Sequence, residues 1–382
     1  MAADYNMMKD VFDNKLRDSQ ATAVTPISPE KFDIEEYASY EAPLNERCAR
    51  FWQGESGVLV YRRMRVAEVF SSGSRDMQAS LAWQLGALKE SMKFKADVPN
   101  FLEPWYGLGV IATAYGVDYV WAPGQAPAIE GKFASTADLL AAPFRPVAET
   151  PVGRHNLEMI EYMLDKTGGR LPLSFCDLQS PLNTLSNIID TSQFYMDFCL
   201  DPDTVKAAMD RTADLIIDYT RLQQQLIGDA LVKPGHGFSS CRAFDGLGLS
   251  DDSVTMLPAD MYLDLAVPAM TKAGDAFGGT VFHSCGNWSD KKEVIAGIPN
   301  LRMADGAFSL ATDPGANPTE GYADTFASTG VVLNTRIVGD PELVESKVRE
   351  LWKPGMKLIV VTYCKTPEEQ AYVYDRIHEI CQ

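Results

Sequence analysis

The sequence predicts an α/β protein, a (β/α)8 barrel preceded by a helical and irregular N-terminal extension. Three observations carry that expectation. From about residue 97 onward, short β-rich runs alternate with amphipathic helical stretches, and such alternation implies a parallel sheet with right-handed crossovers. The runs number eight when one divided region is counted once. A chain of 382 residues also suits one barrel of ~250 residues with additions. The rival open, doubly wound sheet would want a nucleotide-binding glycine loop, and YGLGVIATAYG at 106–116 has the wrong glycine spacing.

In chain order, the first fifty or so residues look helical and irregular, and GVLVYRRM at 57–64 reads as a peripheral strand. The expected division is therefore an extension over 1–95 packing on a barrel over 96–382. The eight expected strands begin with NFLEPW (100–105), DYVWAP (118–123) and LPLSFCDL (171–178). The fourth is divided between GHGFSSCRAF (235–244) and GLGLSDD (246–252). GTVFHSCG (279–286), NLRMADGAF (300–308), GVVLNTRIV (330–338) and KLIVVTYC (357–364) complete the set. Between them lie helices with clear start signals. Asp201-Pro202, Asp340-Pro341 and Thr366-Pro367 each place a capping oxygen before a proline at the first helical position. In the first of these helices Val205, Met209, Leu215, Ile216 and Tyr219 fall on roughly one face.

Composition limits the function classes. A net charge of −18 argues against nucleic acid, whose phosphates want Lys and Arg. No apolar run reaches the ~18 residues of a membrane span, and the mixed, charged opening lacks a signal-peptide layout, so a cytoplasmic protein is expected. Seven scattered cysteines make no disulfide framework. Cys176 and Cys241 read as buried thiols, and Cys48, Cys199 and Cys381 have no partner visible in the sequence. His236 sits in a glycine-flanked turn where it is expected to shape the mouth without chemistry of its own, while His155 and His378 read as helix surface or packing residues.

In a barrel of this kind, chemistry comes from the C-terminal ends of the strands. Those ends carry Glu103 with Trp105 and Tyr106, then Trp121, Asp177, the pair Asp251-Asp252, His283 with Cys285, Asp305, Asn334 with Arg336, and Cys364. His283 and Cys285 are two positions apart, so on a strand they share a face. Cys364 ends the last strand, and it can meet them only above the barrel axis, at the mouth. An imidazole with two thiolates suits Zn2+, and three protein ligands leave a fourth position open. A single H-x-C is a weak motif, and a satisfied core histidine beside packed thiols remains the alternative at this point.

FHSCGN at 282–287, VTYC at 361–364 and TPEEQ at 366–370 together resemble the uroporphyrinogen decarboxylase superfamily, within it the corrinoid (cobalamin)-dependent methyltransferase branch. LSDDSVTMLPADMYLDLAVPAM at 249–270 is similar to that superfamily's aspartate-bearing segment. The likeness covers roughly residues 95–380. It implies a (β/α)8 barrel and a zinc site of the form H-x-C…C, which falls on His283, Cys285 and Cys364. The decarboxylases' RQAGR stretch is missing, since VYRRMRVAEVF supplies Arg62, Arg63 and Arg65 without that pattern.

The resemblance thus implies methyl transfer between a small molecule and the cobalt of a corrinoid. The corrinoid would come on a separate protein, because the chain has no DxHxxG stretch. The small molecule is either a methyl donor, such as a methoxylated aromatic, or a thiol acceptor. Asp251, Asp305 and Glu103 are expected as a displaceable fourth ligand or as partners that orient His283. Trp105, Tyr106 and Trp121 would line an aromatic pocket, with Asp177, Asn334 and Arg336 also facing substrate. Arg336 would meet an anionic thiol. A cofactor-free tetrapyrrole decarboxylase and a non-catalytic scaffold for a corrinoid protein are the rivals. For the extension, a lid, a homodimer contact and a partner-docking surface are all open.

Overall fold

The structure, a computed structural model, describes residues 19–382. Residues 1–18, where the expected lead-in begins and where the signal-peptide expectation falls, lie outside the described residues. The chain forms the expected (β/α)8 barrel. Its main sheet is parallel and contains β1 (Gly57–Arg62), β4 (Leu247–Ser250), β5 (Thr280–His283), β6 (Leu301–Ala307), β7 (Val332–Ile337) and β8 (Lys357–Thr362). Their order is β1-β8-β7-β6-β5-β4.

Shorter bridges complete the ring between β1 and β4. The Asp97 N–H donates to the Val60 carbonyl at 2.8 Å. Leu102 bridges Leu173, Leu173 bridges Leu231, and Gln179 bridges Ser250, all parallel. The fourth stave is interrupted. It starts at Leu231, leaves the ring over 235–246, and resumes as β4, where the Gly248 N–H donates to the Pro234 carbonyl at 3.0 Å. Lys233 and Cys241 pair antiparallel at the base of that excursion. Its return is possible because Gly248 has no side chain, since a Cβ there would lie 2.3 Å from the Phe238 ring.

Two expectations about strands change. The run at 118–123 is not a stave. Its β2 (Tyr119–Val120) pairs antiparallel with β3 (Ala128–Ile129) over two residues, and Val120 is exposed. The run at 57–64 is not peripheral. It is stave β1, in register with β8 from Gly57↔Lys357 to Arg62↔Thr362, so residues within 1–95 build the barrel wall. The physical signal was present in VLVYR, a β-branched run buried along most of its length.

Both faces of a barrel strand are covered, and the two layers separate by alternation. Leu59, Tyr61, Val281, Met303, Val332, Ile359 and Val361 fill the interior with Phe238 and Cys241. Val60, Phe282, Ala304, Leu333, Leu358 and Val360 join the layer between strands and helices. The expected helices start as read. Asp201, Asp340 and Thr366 side chains accept from the backbone N–H groups of Thr204, Leu343 and Glu369, at the heads of helices Pro202–Ile227, Pro341–Leu351 and Pro367–Ile380. Among the described residues, no helix is long and apolar enough to cross a membrane.

Candidate active site

Strand register builds one side of the barrel mouth. Ser250 aligns with His283, His283 with Asp305, and Asp305 with Asn334. Neighbours in register project from the same face, so this row lines up inward at the C-terminal rim. Asp305, with no exposed surface, accepts on Oδ1 from the Asn334 amide at 2.6 Å and on Oδ2 from Arg336 Nε at 2.8 Å. His283 Nδ1 lies 2.7 Å from the same Oδ2. That contact fixes the ring, leaving Nε2 aimed at Cys285 Sγ, 3.4 Å away. Asn334 is braced in turn by the Ser239 hydroxyl, which donates to its Oδ1 at 2.6 Å.

Burial would push the Asp305 carboxyl up, but the charges of Arg336 and His283 outweigh it and hold the group below the usual carboxylate range. Burial opposes charge on His283 too. There the charges of Cys285 and Asp305 prevail, and its pKa is raised to about 10. A bound cation would take the place of the ring proton in such a charge-rich pocket.

Asp252, His283 and Cys285 have their ligand atoms within 4.8 Å of one another. The Cys285 N–H donates to Asp252 Oδ1 at 2.6 Å, so the turn after β5 is tied to the end of β4. One oxygen, one imidazole nitrogen and one thiol sulfur form a donor set that zinc accepts. A carboxylate on the far ring nitrogen is the usual support of a metal-binding histidine.

Cys364 stands outside that group. Ile359, Val361 and Tyr363 belong to the interior cluster, whereas Cys364 packs with Leu358 and Val360 in the outer layer. Burial pushes its thiol up to about 12, with the Glu369 charge adding and Arg62 opposing. Asp251 likewise turns outward. Its carboxylate accepts from the Ser180 hydroxyl at 2.8 Å and the Tyr262 hydroxyl at 2.7 Å. Burial raises its pKa to about 6. It is a strut beneath the mouth, and Asp252 is the member of the pair that faces the cavity.

That cavity measures about 330 Å3 and is bordered by Asp252, His283, Cys285 and Arg336. Arg63, Arg65, Asp177 and His236 border it as well. His236 Nδ1 is 3.0 Å from Glu103 Oε1, and its Nε2 is 3.4 Å from Asp177 Oδ2. Glu103 is also 3.6 Å from Arg63. Burial would raise its pKa, but His236 and Arg63 outweigh this and bring it to about 2. Glu103 is therefore a buried, ionised anchor standing apart from the donor group.

The three aromatics do not make the expected pocket. Trp105 is buried and donates its Nε1–H to Asp177 at 3.0 Å. Tyr106 stacks on His155 and Trp121, and Trp121 borders a separate surface hollow beside Arg75. Asp177 and Arg336 do face the cavity, whereas Asn334 acts one layer back, through Asp305. The sequence reading missed Asp252, Arg63 and Arg65 as cavity residues, and His236 does stand at the mouth. Alternation from Leu59 and Tyr61 places Arg63 and Arg65 inward, and alternation from Leu247 and Leu249, both in the outer layer, turns Asp252 inward.

The architecture defines a (β/α)8 barrel with a metal-competent group on its C-terminal rim, the face where such barrels carry their chemistry. Residues 104–367 match the uroporphyrinogen decarboxylase (URO-D) family model, and the chain belongs to that family. No curated protein sequence matches it. Among solved structures it is similar to a methyltransferase from Methanosarcina mazei, with a TM-score of 0.58 at 14% identity, covering 88% of this chain and 98% of that one.

Proposed function

We propose that this protein is a zinc-dependent methyltransferase. It moves a methyl group between a small anionic substrate and the cobalt of a corrinoid carried by a separate protein. The observation that carries the reading is the convergence of Asp252, His283 and Cys285 in a cavity bordered by three arginines. The shared fold with a methyltransferase agrees with it. When bound there, zinc supplies Lewis acidity, either lowering the pKa of a thiol or polarising the atom that releases the methyl group.

The chain's own residues divide the remaining work. Asp305 holds the His283 ring so that Nε2 faces Cys285. Arg336, fixed to Asp305 through Nε and 3.5 Å from the Ser284 carbonyl through Nη2, borders the cavity. Arg63 and Arg65 border it too, and the three positive charges favour a substrate bearing a carboxylate or similar anion. The chain has no corrinoid motif of its own, so the cofactor arrives on a partner at the rim.

The decarboxylase rival draws support from the family model and from the same arginines. A cavity of about 330 Å3 lies at the small end of ligand sites, ~300–1,000 Å3, and suits a small substrate better than a tetrapyrrole.

The deciding experiment is metal content of the purified wild type beside Asp252→Ala, Cys285→Ala and Cys364→Ala, followed by assay with methylcobalamin or Co(I) cobalamin. Stoichiometric zinc in the wild type, lost in Asp252→Ala and Cys285→Ala but kept in Cys364→Ala, selects the donor set of this structure. Loss in Cys364→Ala with retention in Asp252→Ala selects the thiolate triad, with the turn after β8 bringing Cys364 inward. A wild type prepared without chelators and free of metal would overturn the zinc mechanism.

A further inference from the structure

We infer that His236 is the general acid of the reaction, handing a proton to the heteroatom from which the methyl group departs. The inference rests on the methyl-transfer reading. It concerns a second histidine that borders the same cavity as the donor group.

The chain has four histidines. His283 belongs to the donor group, His155 stacks on Tyr106 and His378 reaches Asp97. His236 is the remaining one, and it borders the same cavity as His283. Its position is built rather than incidental. The excursion between the two halves of the fourth stave carries it over the mouth, and the flanking Gly235 and Gly237 have φ of 130° and 83°, conformations that side chains other than glycine's rarely adopt. The Phe70 ring packs beside the imidazole at 5.5 Å between centroids.

Every charged group around the ring is accounted for. Behind it, Glu103 Oε1 faces Nδ1 at 3.0 Å, and the same oxygen lies 3.6 Å from Arg63 and accepts from the Gly237 N–H at 3.3 Å. The Nδ1 contact lies off the line of a hydrogen bond, so it acts by charge. In front, Asp177 Oδ2 faces Nε2 at a loose 3.4 Å and is already occupied by the Trp105 N–H. Asp177 Oδ1 accepts from Gln179 at 2.7 Å. Arg65 lies across Phe70, 4.5 Å from that ring's centre. Carboxylate oxygens thus face both ring nitrogens, Nδ1 at 3.0 Å and Nε2 at 3.4 Å. The weak front contact leaves the Nε2 proton available to a substrate atom in the cavity.

The step balances with the corrinoid as co-reactant. The bond between methyl carbon and heteroatom breaks, and its electron pair stays on the heteroatom, which takes the Nε2 proton. The methyl carbon passes to the corrinoid cobalt in its reduced, nucleophilic state, which supplies the pair for the new bond. In the reverse direction the neutral ring takes the proton that a thiol or phenol gives up.

Methoxybenzoates supply the test, because their carboxylate suits the arginines and ring substituents tune the acidity of the departing phenol. Zinc content of His236→Gln and His236→Asn is measured first, and equals the wild type. Loss of a positioned acid costs ~100-fold or more. His236→Gln should therefore lose about 100-fold in kcat on 4-methoxybenzoate and only a few-fold on 4-methoxy-3-nitrobenzoate, whose phenolate departs without help, with KM little changed. Binding gives a second readout, by calorimetry on the zinc-loaded protein without corrinoid. His236→Gln should bind 4-hydroxybenzoate about tenfold more weakly and 4-methoxybenzoate as the wild type does.

An equal loss across the acidity series, with phenol binding unchanged, would overturn the inference and leave His236 a shaping residue. A wild type that turns over no methyl donor or thiol instead counts against the methyl-transfer reading, and the phenol-binding comparison then judges His236 separately. Should His236→Gln lose its cooperative melt, the same comparison is made with His236→Asn.

Discussion

At the scale of single residues, the mouth is governed by which face of a strand each side chain takes. Asp305 illustrates what an inward position costs and provides. It is wholly buried and carries Arg336, Asn334 and the His283 ring together. Asp305→Asn removes the charge that pairs Arg336 and the acceptor that orients His283. Breaking one side of a buried ion pair costs ~3–5 kcal/mol, and losing the partner of a metal-binding histidine weakens affinity ~10–100-fold. The expected result is a stable but lowered urea midpoint together with zinc affinity down by that factor, measured by competition with a chelator. An unchanged affinity would detach Asp305 from the proposed metal site.

The same alternation decides what the sequence could and could not disclose here. His283 and Cys285 share a face by simple spacing, and they do meet. Asp251 was preferred over Asp252 because the pair sits at a strand end and no partner was visible to break the tie. Counting outward from Leu247 and Leu249 would have broken it. Cys364 drew attention by its place at the end of β8, yet its parity matches Leu358 and Val360 rather than Ile359. The glycine-flanked turn disclosed the place of His236 at the mouth but not its surroundings. Its partners Glu103 and Asp177 lie more than fifty residues away and meet it only once the barrel closes.

At the scale of elements, the second stave is pinned at its start by one carboxylate. Asp97 Oδ2 accepts from the Val60 N–H at 2.8 Å and lies 2.8 Å from His378 Nε2. Its Oδ1 takes the Tyr374 hydroxyl at 2.6 Å and the Arg47 guanidinium. Helix Ile34–Gln53 and helix Pro367–Ile380 are thereby tied to the same strand end. Burial alone would raise the Asp97 pKa, but His378, Tyr374 and Arg47 outweigh it and hold it below the model-peptide range.

A depressed folded pKa contributes stability that is present above the unfolded value, about 3.9 for Asp, and is lost as pH falls through the folded one. Asp97→Asn should lower stability by about 3 kcal/mol at pH 7, and the gap to wild type should narrow as pH is taken down below about 4. Urea melts at several pH values check this, and a gap constant with pH would assign the loss to packing alone. The capped helices were legible because each start signal is local, whereas strand membership is not. DYVWAP and GVLVYRRM both read as β, and only pairing with β8 distinguishes a stave from a two-residue ribbon.

At the scale of the molecule, closure of the ring is what makes a site of these parts. The mouth draws Arg63 and Arg65 from beyond β1, Arg336 from β7, its donor group from the ends of β4 and β5, and His236 from the divided fourth stave. The extension expected over 1–95 contributes to all of this. Leu59 and Tyr61 fill the interior with Cys48 and Phe51 from helix Ile34–Gln53, Lys357 donates to the Trp52 carbonyl at 2.7 Å, and Arg62 Nε donates to the Cys364 carbonyl at 2.8 Å. A fragment spanning 96–382 would leave β8 with a long unpaired edge, an invitation to aggregation, and an interior open on one side. It would also lack Arg63 and Arg65. Such a fragment should show no cooperative thermal transition and no stoichiometric zinc, whereas the full chain should show both. A fragment that melts cooperatively and keeps its metal would mean that β1 is an appendage to a self-sufficient seven-stave wall. The substrate arginines would then have to be sought elsewhere on the rim.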